Sequence, residues 1–467
     1  MSERLQGLDI TTLVQGGRGL GHHRGKAVFV PLTAPGDRVD CRVLREKSRY
    51  IEAELIEIVE PSPVRRDPPC PYFGDCGGCQ WQHLPYREQL AWKASLYTDQ
   101  LVRSKVAETS QILPIVSSPE EWHYRNRVQF KCHRTTEGMA IGFYRAGSHF
   151  VVDTADCLLV RPEIGRVLQL LREELPAAPR PDCIPQVDVA CGDDGSVRIL
   201  LHVLPQARKV MRSWLETFAD HHQLNTCLQS GRKDTLETLR GDGQLSYIVD
   251  HPEIRLLCGP GGFVQVNSRQ NRRMVAELIT RLNLQGTEDV VDLFCGMGNF
   301  SLPLARRAAH VLGIEDYAPS IASARRNAFA NRLDNSRFQV ADAAAFGRYC
   351  GSSPDLIMLD PPRTGSPRAM REILRLQPQR IVYISCEPST LTRDLTLLVH
   401  GGYAVAWSQP FDLFPQTGHI ESLTLLVRTG AGGYKRGPVT GCWGLDMRAS
   451  PRSPLLPISL ALADHFC

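Results

Sequence analysis

Val291-Asp292-Leu293-Phe294-Cys295-Gly296-Met297-Gly298-Asn299-Phe300 constrains this chain more than any other stretch. An apolar run breaks at two closely spaced glycines, and a helical pattern follows. Glycine has no Cβ and adopts positive φ freely, so such a turn lets a ligand approach the backbone. The turn sits inside a longer alternation of apolar runs and helical patterns. The sequence predicts strands over 289–294, 310–315, 356–360 and 380–385, and so a parallel sheet covered on both faces between about 251 and 429. Glu315 closes the second of these strands and follows Gly296 by 19 positions, where an acid is placed to bind ribose hydroxyls. Ser301 stands where a dinucleotide-binding turn wants its third glycine, so the turn suits a mononucleoside cofactor.

The rest of the chain must be organised around this unit. Its 467 residues make two to four domains. With 42% hydrophobic and 22% charged residues, the composition is globular and excludes disorder over most of the length. No apolar run reaches the ~18 residues of a membrane span, and no signal core opens the chain, so a cytoplasmic location is expected. The net charge of +4 is too small to mark a nucleic-acid partner by itself. Residues 1–61 read as short strands between glycine turns, a small OB-like β-barrel. Pro61, Pro63, Pro68 and Pro69 mark a linker. Residues 62–250 are mixed α+β, residues 251–429 are the α/β unit, and the Gly-, Pro- and Arg-rich stretch 430–467 reads as a poorly ordered tail. Nothing in the sequence points to a protein partner.

Fifteen cysteines in a cytoplasmic chain argue for metal binding or chemistry over disulfides. Cys70, Cys76 and Cys79 are closely spaced, and Gly77 and Gly78 allow the tight path that brings them to one centre. A fourth ligand is needed, and Cys132 and Cys157 are the nearest in sequence. Four cysteines hold either tetrahedral zinc or an iron–sulfur cluster, and spacing alone leans to zinc.

Two further motifs end strands of the α/β unit. Asp360-Pro361-Pro362-Arg363 ends one, and Ser385-Cys386-Glu387-Pro388 ends the next. Ligands bind at the carboxyl ends of such strands, so Asp360 and Cys386 are expected in the cofactor crevice. A thiol there suits methylation of a uracil ring. Carbon 5 is too weak a nucleophile unaided; a thiolate adding to carbon 6 makes it enolate-like. Positive charge favours the thiolate, and Arg363 and Arg393 are the nearby cations. A separate base must remove the carbon 5 proton. Glu421, in Gly418-His419-Ile420-Glu421, precedes an apolar strand and is placed at the sheet's edge near the crevice; His419 is a rival.

These motifs, preceded by Phe263-Val264-Gln265-Val266-Asn267, occur in the order of the RNA uracil-5-methyltransferase family, which the chain resembles over about 2–429. The resemblance implies a C-terminal class I S-adenosylmethionine-dependent methyltransferase domain of Rossmann-like fold. By it Cys386 matches the nucleophile and Glu421 the base. Gln265, Phe294, Asn299, Glu315 and Asp342 match cofactor contacts, and Asp360 is expected to contact the cofactor or the target base. Glu387 departs from the family's usual Asn or Asp. The cysteine pattern resembles the [4Fe–4S] site of one branch, which implies Cys70, Cys76, Cys79 and Cys157 as ligands of a structural cluster in the central domain. The N-terminal barrel resembles a TRAM domain, an RNA-binding module; Arg18, Arg24, Lys26, Arg45, Lys47 and Arg49 would meet phosphates. The rings and cations of 122–131 suit stacking on a strand of RNA. Carbon 6 is hidden inside a helix, so the target base must come from a loop or be flipped out. The reading as a whole is methyl transfer to carbon 5 of a uridine in 23S ribosomal RNA. The alternatives are the transfer-RNA enzyme of the same family and a non-catalytic, zinc-stabilised RNA-binding adaptor.

Overall fold

The computed structural model describes residues 3–430 apart from residue 137, so the tail expected beyond 430 lies outside the described residues. The first sheet comprises β1 (Arg4–Asp9), β2 (Thr12–Leu13), β3 (Gly19–His23), β4 (Lys26–Val30), β5 (Arg38–Glu46) and β6 (Tyr50–Glu60), ordered β1-β5-β6-β4-β3-β2. It curls around Leu5, Leu8, Val28, Val30, Val39, Cys41, Ile51 and Ala53. Along β6, Ile51 and Ala53 point into this core, whereas Ile56 and Val59 further along are exposed. Arg45, Lys47 and Arg49 are exposed around the tip of the β5–β6 hairpin.

Helix α1 (Tyr86–Arg103) follows, and its buried face is mostly polar: Gln89, Lys93, Tyr97 and Leu101 recur every four residues. The second sheet holds β7 (Arg127–Thr135), β8 (Gly138–Tyr144), β9 (Val151–Asp153), β10 (Gln186–Cys191), β11 (Val197–Val203), β12 (Asn225–Ser230) and β13 (Glu237–Arg240), ordered β13-β12-β11-β10-β7-β8-β9. Helices α2 (Pro162–Glu174) and α3 (Arg208–His222) bury Ile164, Leu168, Leu171, Met211 and Leu215 against it. Pro162 opens α2, where a missing N–H costs nothing.

A hairpin of β14 (Leu245–Asp250) and β15 (Ile254–Cys258) and helix α4 (Ser268–Leu282) share one core with the third sheet. That sheet contains β16 (Asp289–Leu293), β17 (His310–Glu315), β18 (Ser336–Val340), β19 (Leu356–Leu359), β20 (Arg380–Ser385), β21 (Tyr403–Phe411) and β22 (Glu421–Arg428), with order β18-β17-β16-β19-β20-β22-β21. Helices α5 (Ser301–Ala305), α6 (Ala318–Ala330), α7 (Pro367–Leu376) and α8 (Pro388–His400) alternate with its strands. All four strands predicted from the apolar runs are present within one residue of their expected ends. Strand β22 runs antiparallel to both β20 and β21 and lies inside the sheet, not at its edge. Among the described residues no helix is long and apolar enough to cross a membrane.

Helix α1 packs on the third sheet: Tyr97 and Leu101 join Val291, Ile357, Tyr383 and Leu391 in one core. Its polar stripe is matched bond for bond. The Lys93 ammonium donates to Asp412 Oδ1 at 2.6 Å and to the Phe414 carbonyl at 3.0 Å, with both charged side chains fully buried. The Tyr97 hydroxyl meets Ser408 Oγ at 2.6 Å. Removing one partner of a buried ion pair strands the other charge in a low-dielectric interior. Lys93→Met is therefore expected to destabilise the protein by about 3–5 kcal/mol, read from the urea midpoint, and Lys93→Met with Asp412→Leu should recover most of that loss.

Candidate active site at the carboxyl rim

Strand β16 delivers the glycine turn. Phe294, just past its end, has φ +62°, and Gly296 and Gly298 have φ +55° and +100°. A left-handed Phe is unusual, and such backbone is found where the surroundings over-determine it. The Cys295 amide donates to the Ile314 carbonyl at 3.1 Å, which ties the turn to the end of β17. From that end, Glu315 accepts the Gly296 amide at 3.3 Å and the Tyr317 amide at 3.0 Å. Its carboxylate thus lies against the turn, as expected. Beneath the turn, buried Asp292 accepts the Ser301 hydroxyl, which explains a serine at 301 where a dinucleotide pattern has glycine.

Gln265, Phe294, Asn299 and Asp360 line one cavity of about 50 Å³, together with Phe263 and Asn271. Asn271 and Asn299 exchange amide hydrogen bonds at 2.7 and 3.0 Å. The stretch holding Gln265 is pinned from the second sheet: the Asn126 amide donates to Val266 O at 2.9 Å and its side chain to Gln265 O at 3.0 Å. Asp342 lies after β18 at the same rim, where it caps the following turn through the Ala344 amide at 2.8 Å and pairs with Arg368 at 3.3 Å. Glu315 and Asp342 are not among the residues lining the cavity.

The reversed direction of β22 brings Cys386 and Glu421 together. Ser385 pairs with Ser422 in register, so the next residue on each side, Cys386 and Glu421, faces the other at the carboxyl rim. Asp360 follows β19, the neighbour of β20, at that rim. These groups feel one another. Burial raises Asp360 to about 7. Burial, then Asp360 and Glu315, raise Asp292 to about 7 against the opposing Ser301 hydroxyl. Burial raises Glu421 well above the usual carboxylate range; Asp360 adds to this and Arg363 opposes it. The Cys386 thiol rises to about 11 through burial, then Glu421 and Asp360, with Arg363 pulling it down. The cation expected to favour the thiolate is therefore Arg363. Arg393 is committed to Asp394 at 2.8 Å and to the Thr364 carbonyl at 2.8 Å.

His419 is a weaker base than Glu421. Burial, then Arg363, Lys93 and Arg125, lower it to about 4. Glu387, the departure noted in the sequence, caps α8 by accepting the Ser389 amide at 3.4 Å, and it also accepts the Ser389 hydroxyl at 2.9 Å and a hydrogen bond from Gln15 of the first sheet's β2–β3 loop.

The cysteines separate into two kinds. Cys70, Cys76, Cys79 and Cys157 line one cavity of about 70 Å³ with Phe73, Arg125 and Phe143. Cys132 is buried in the core of the second sheet. Burial raises Cys79 to about 12 and Cys157 to about 11. Among the described residues, no three His, Cys, Asp or Glu side chains stand at metal-binding separation.

The segment 122–131, read from composition as an RNA-stacking surface, is largely an internal joint. Tyr124 is buried and donates to Pro415 O at 3.0 Å, Phe130 is fully buried, and Arg127 donates to Gly262 O at 2.9 Å. Composition cannot distinguish a polar joint between sheets from a wet face.

Comparison with known proteins agrees with this geometry. The family described as tRNA (Uracil-5-)-methyltransferase matches residues 246–429, and the tRNA (uracil(54)-C(5))-methyltransferase TRAM domain matches residues 8–64. The 23S rRNA (uracil(1939)-C(5))-methyltransferase RlmD of Nitrosococcus oceani is 35% identical over 437 residues, 92% of this chain and 97% of the relative. The chain belongs to the RNA uracil-5-methyltransferase family. The RlmD enzyme of Thiobacillus denitrificans is 34% identical over 442 residues, 90% of this chain and 99% of its own length. The crystal structure of the Pyrococcus abyssi tRNA (uracil-54, C5)-methyltransferase in complex with S-adenosyl-L-homocysteine superposes with a TM-score of 0.71 at 25% identity, covering 91% of this chain and all of that one. The third sheet is thus the S-adenosylmethionine-dependent methyltransferase fold of the family, and the first is its TRAM domain.

The acidic, buried surroundings of Cys386 set its pH response. Raising the pH converts thiol to thiolate, the only form that alkylates quickly. Well below a pKa of about 11, the thiolate fraction grows about tenfold per pH unit. Iodoacetamide labelling of the Cys386 peptide, followed by mass spectrometry, should therefore still be accelerating at about pH 9, and Arg363→Ala should slow it at every pH.

Proposed function

We propose that this protein transfers a methyl group from S-adenosylmethionine to carbon 5 of a uridine in 23S ribosomal RNA. The observation that carries the reading is the pairing of Cys386 with Glu421 across the β20–β22 register, beside the cavity lined by Gln265, Phe294, Asn299 and Asp360. The RlmD relatives, matched along nine-tenths of the chain, support 23S ribosomal RNA as the substrate. The name of the archaeal structural relative makes transfer RNA the competing substrate.

The donor supplies an electrophilic methyl group. Glu315, beside the turn amides, is placed for its ribose hydroxyls, Gln265, Phe294 and Asn299 for the remainder, and Asp342 for the adenine side. Cys386 gives its proton to solvent and its thiolate adds to carbon 6 of the uracil; carbon 5, now enolate-like, takes the methyl group as the donor's sulfur–methyl bond breaks and S-adenosylhomocysteine leaves. Glu421 then removes the carbon 5 proton, the carbon 5–carbon 6 double bond reforms, and the Cys386 thiolate leaves. The elevated basicity of Glu421 suits this step, because a stronger base takes a carbon-bound proton more readily. Asp360, which follows β19 on the side of β20 away from β22, is placed at the same rim to meet the target base. The RNA is gripped by the TRAM domain, where exposed Arg45, Lys47 and Arg49 meet phosphates.

Cys70, Cys76, Cys79 and Cys157 would hold a [4Fe–4S] cluster. Their sharing of one cavity fits that group, as does Arg125, a cation beside what would be four thiolates. Burial favours the protonated thiol at Cys79 and Cys157, so loading a cluster there would release protons. No step of the methylation moves an electron, so the cluster is structural in this reading.

Two measurements test these assignments. RNA containing 5-fluorouridine should trap a covalent enzyme–RNA adduct that Cys386→Ala abolishes; an adduct that persists would place the nucleophile elsewhere. The same assay on 23S and transfer-RNA fragments separates the two substrates. Protein purified without oxygen should be brown and carry about four irons per chain, falling in the Cys157→Ala variant; colourless protein with a single zinc would refute the cluster.

A further inference from the structure

Gln416 lies five residues before Glu421, in the loop that leads into β22. It is fully buried, and its backbone is left-handed, with φ +69°. A glutamine has no intrinsic reason to adopt that conformation, and asparagine or glycine would do so more readily. Every polar group of the residue is used. Its amide donates to Gln89 Oε1 at 2.9 Å, and its carbonyl accepts the Gln80 and Trp81 amides at 3.0 Å each. Its side-chain oxygen accepts from Gln89 Nε2 at 2.8 Å and Arg66 at 3.2 Å, and its side-chain nitrogen donates to Glu121 at 3.5 Å. Four separate stretches of chain therefore converge on one residue: α1, the stretch leading to the cysteines, the segment that follows Cys79, and the joint before β7.

The segment downstream depends on this fixture. Thr417 Oγ1 donates to Phe414 O at 2.8 Å and accepts the His419 amide at 3.3 Å. Gly418 packs against the TRAM domain so closely that an added Cβ would lie 2.7 Å from the Gly17 amide nitrogen, and Trp81 Nε1 holds the Gly17 carbonyl at 3.0 Å. The path from Gln416 to Glu421 is thus held at both ends, by the Gln416 bonds and by the β22 register.

We propose that Gln416 is a positioning residue for proton abstraction: its buried hydrogen bonds hold the left-handed turn that aims Glu421 at carbon 5. The inference rests on the reading of Glu421 as the base. It concerns the second half of the reaction only, since Cys386 is carried between β20 and α8, while the hydrogen bonds of Gln416 run to Arg66, Gln80, Trp81, Gln89 and Glu121. A displacement of about 1 Å in a catalytic group costs on the order of 100-fold in rate.

The test follows two rates in the full-length enzyme. Release of tritium from carbon 5 of uridine RNA reads proton abstraction, and adduct formation with 5-fluorouridine RNA reads the addition by Cys386. Gln416→Gly keeps the backbone conformation accessible while removing the side-chain bonds. It is expected to slow tritium release by on the order of 10- to 100-fold while adduct formation stays within about twofold. Gln416→Asn, which keeps an amide and tolerates the left-handed turn, should restore part of the loss. If both rates fall together, or neither falls, the positioning role is overturned. Glu421→Gln runs alongside. Lost tritium release there with normal release in Gln416→Gly removes only the role of Gln416. Retained release in Glu421→Gln removes the base assignment, and this inference with it.

Discussion

One strand running against its neighbours makes this candidate active site possible. A parallel sheet gathers the carboxyl ends of its strands on one rim, and the glycine turn, Asp360 and Cys386 all reach the rim in that way. An acid that follows the last helix cannot join them from a parallel strand without another crossover. Reversing β22 between β20 and β21 solves this, because the first residue of a reversed strand sits where its neighbours end. Glu421 therefore faces Cys386 by register, and burial, with Asp360 adding to it, raises the proton affinity of both, with Arg363 as the opposing charge.

Much of this was legible in the amino-acid sequence, for identifiable reasons. The strands of the third sheet are runs of Val, Ile and Leu that stop at Gly, Pro or a functional residue, and a buried parallel strand has no need of alternation. The glycine turn and the acid at Glu315 are short-range features with fixed offsets. The position of Glu421 was read at the sheet edge because nothing local announces that a strand will insert between two others. Strand order is a long-range property. Helix α1 hid for a different reason: its buried stripe is Gln89, Lys93 and Tyr97, so its apolar periodicity is weak, and its partners lie more than 300 residues away.

The same lesson applies to segment 122–131. Rings and cations in mixture describe an RNA-binding surface and equally an internal polar joint. Here Tyr124 binds the loop before β22, Asn126 and Arg127 bind the segment before α4, and Phe130 is buried in the second sheet's own core. The exposed cations at the β5–β6 tip carry the stronger case for phosphate contact. Among the cysteines, spacing suggested two candidates for a fourth ligand, and only Cys157 shares a cavity with the other three. Gln80 and Trp81 extend that cavity's backbone to Gln416, so the thiol cluster and the segment leading to Glu421 meet at one junction.

The placement of α1 has a consequence for how the molecule comes apart. Its residues Tyr97 and Leu101, with Val106 and Ala107 just beyond, complete the core on one face of the third sheet. Cutting the chain near residue 250 would strip that face and leave a bare apolar surface on a fragment whose own secondary structure is intact. Residues up to Thr429 form a single compact unit by contact. The division of the sequence into a barrel and a methyltransferase thus does not extend to its packing: the third sheet shares its core with a helix from the N-terminal half of the chain.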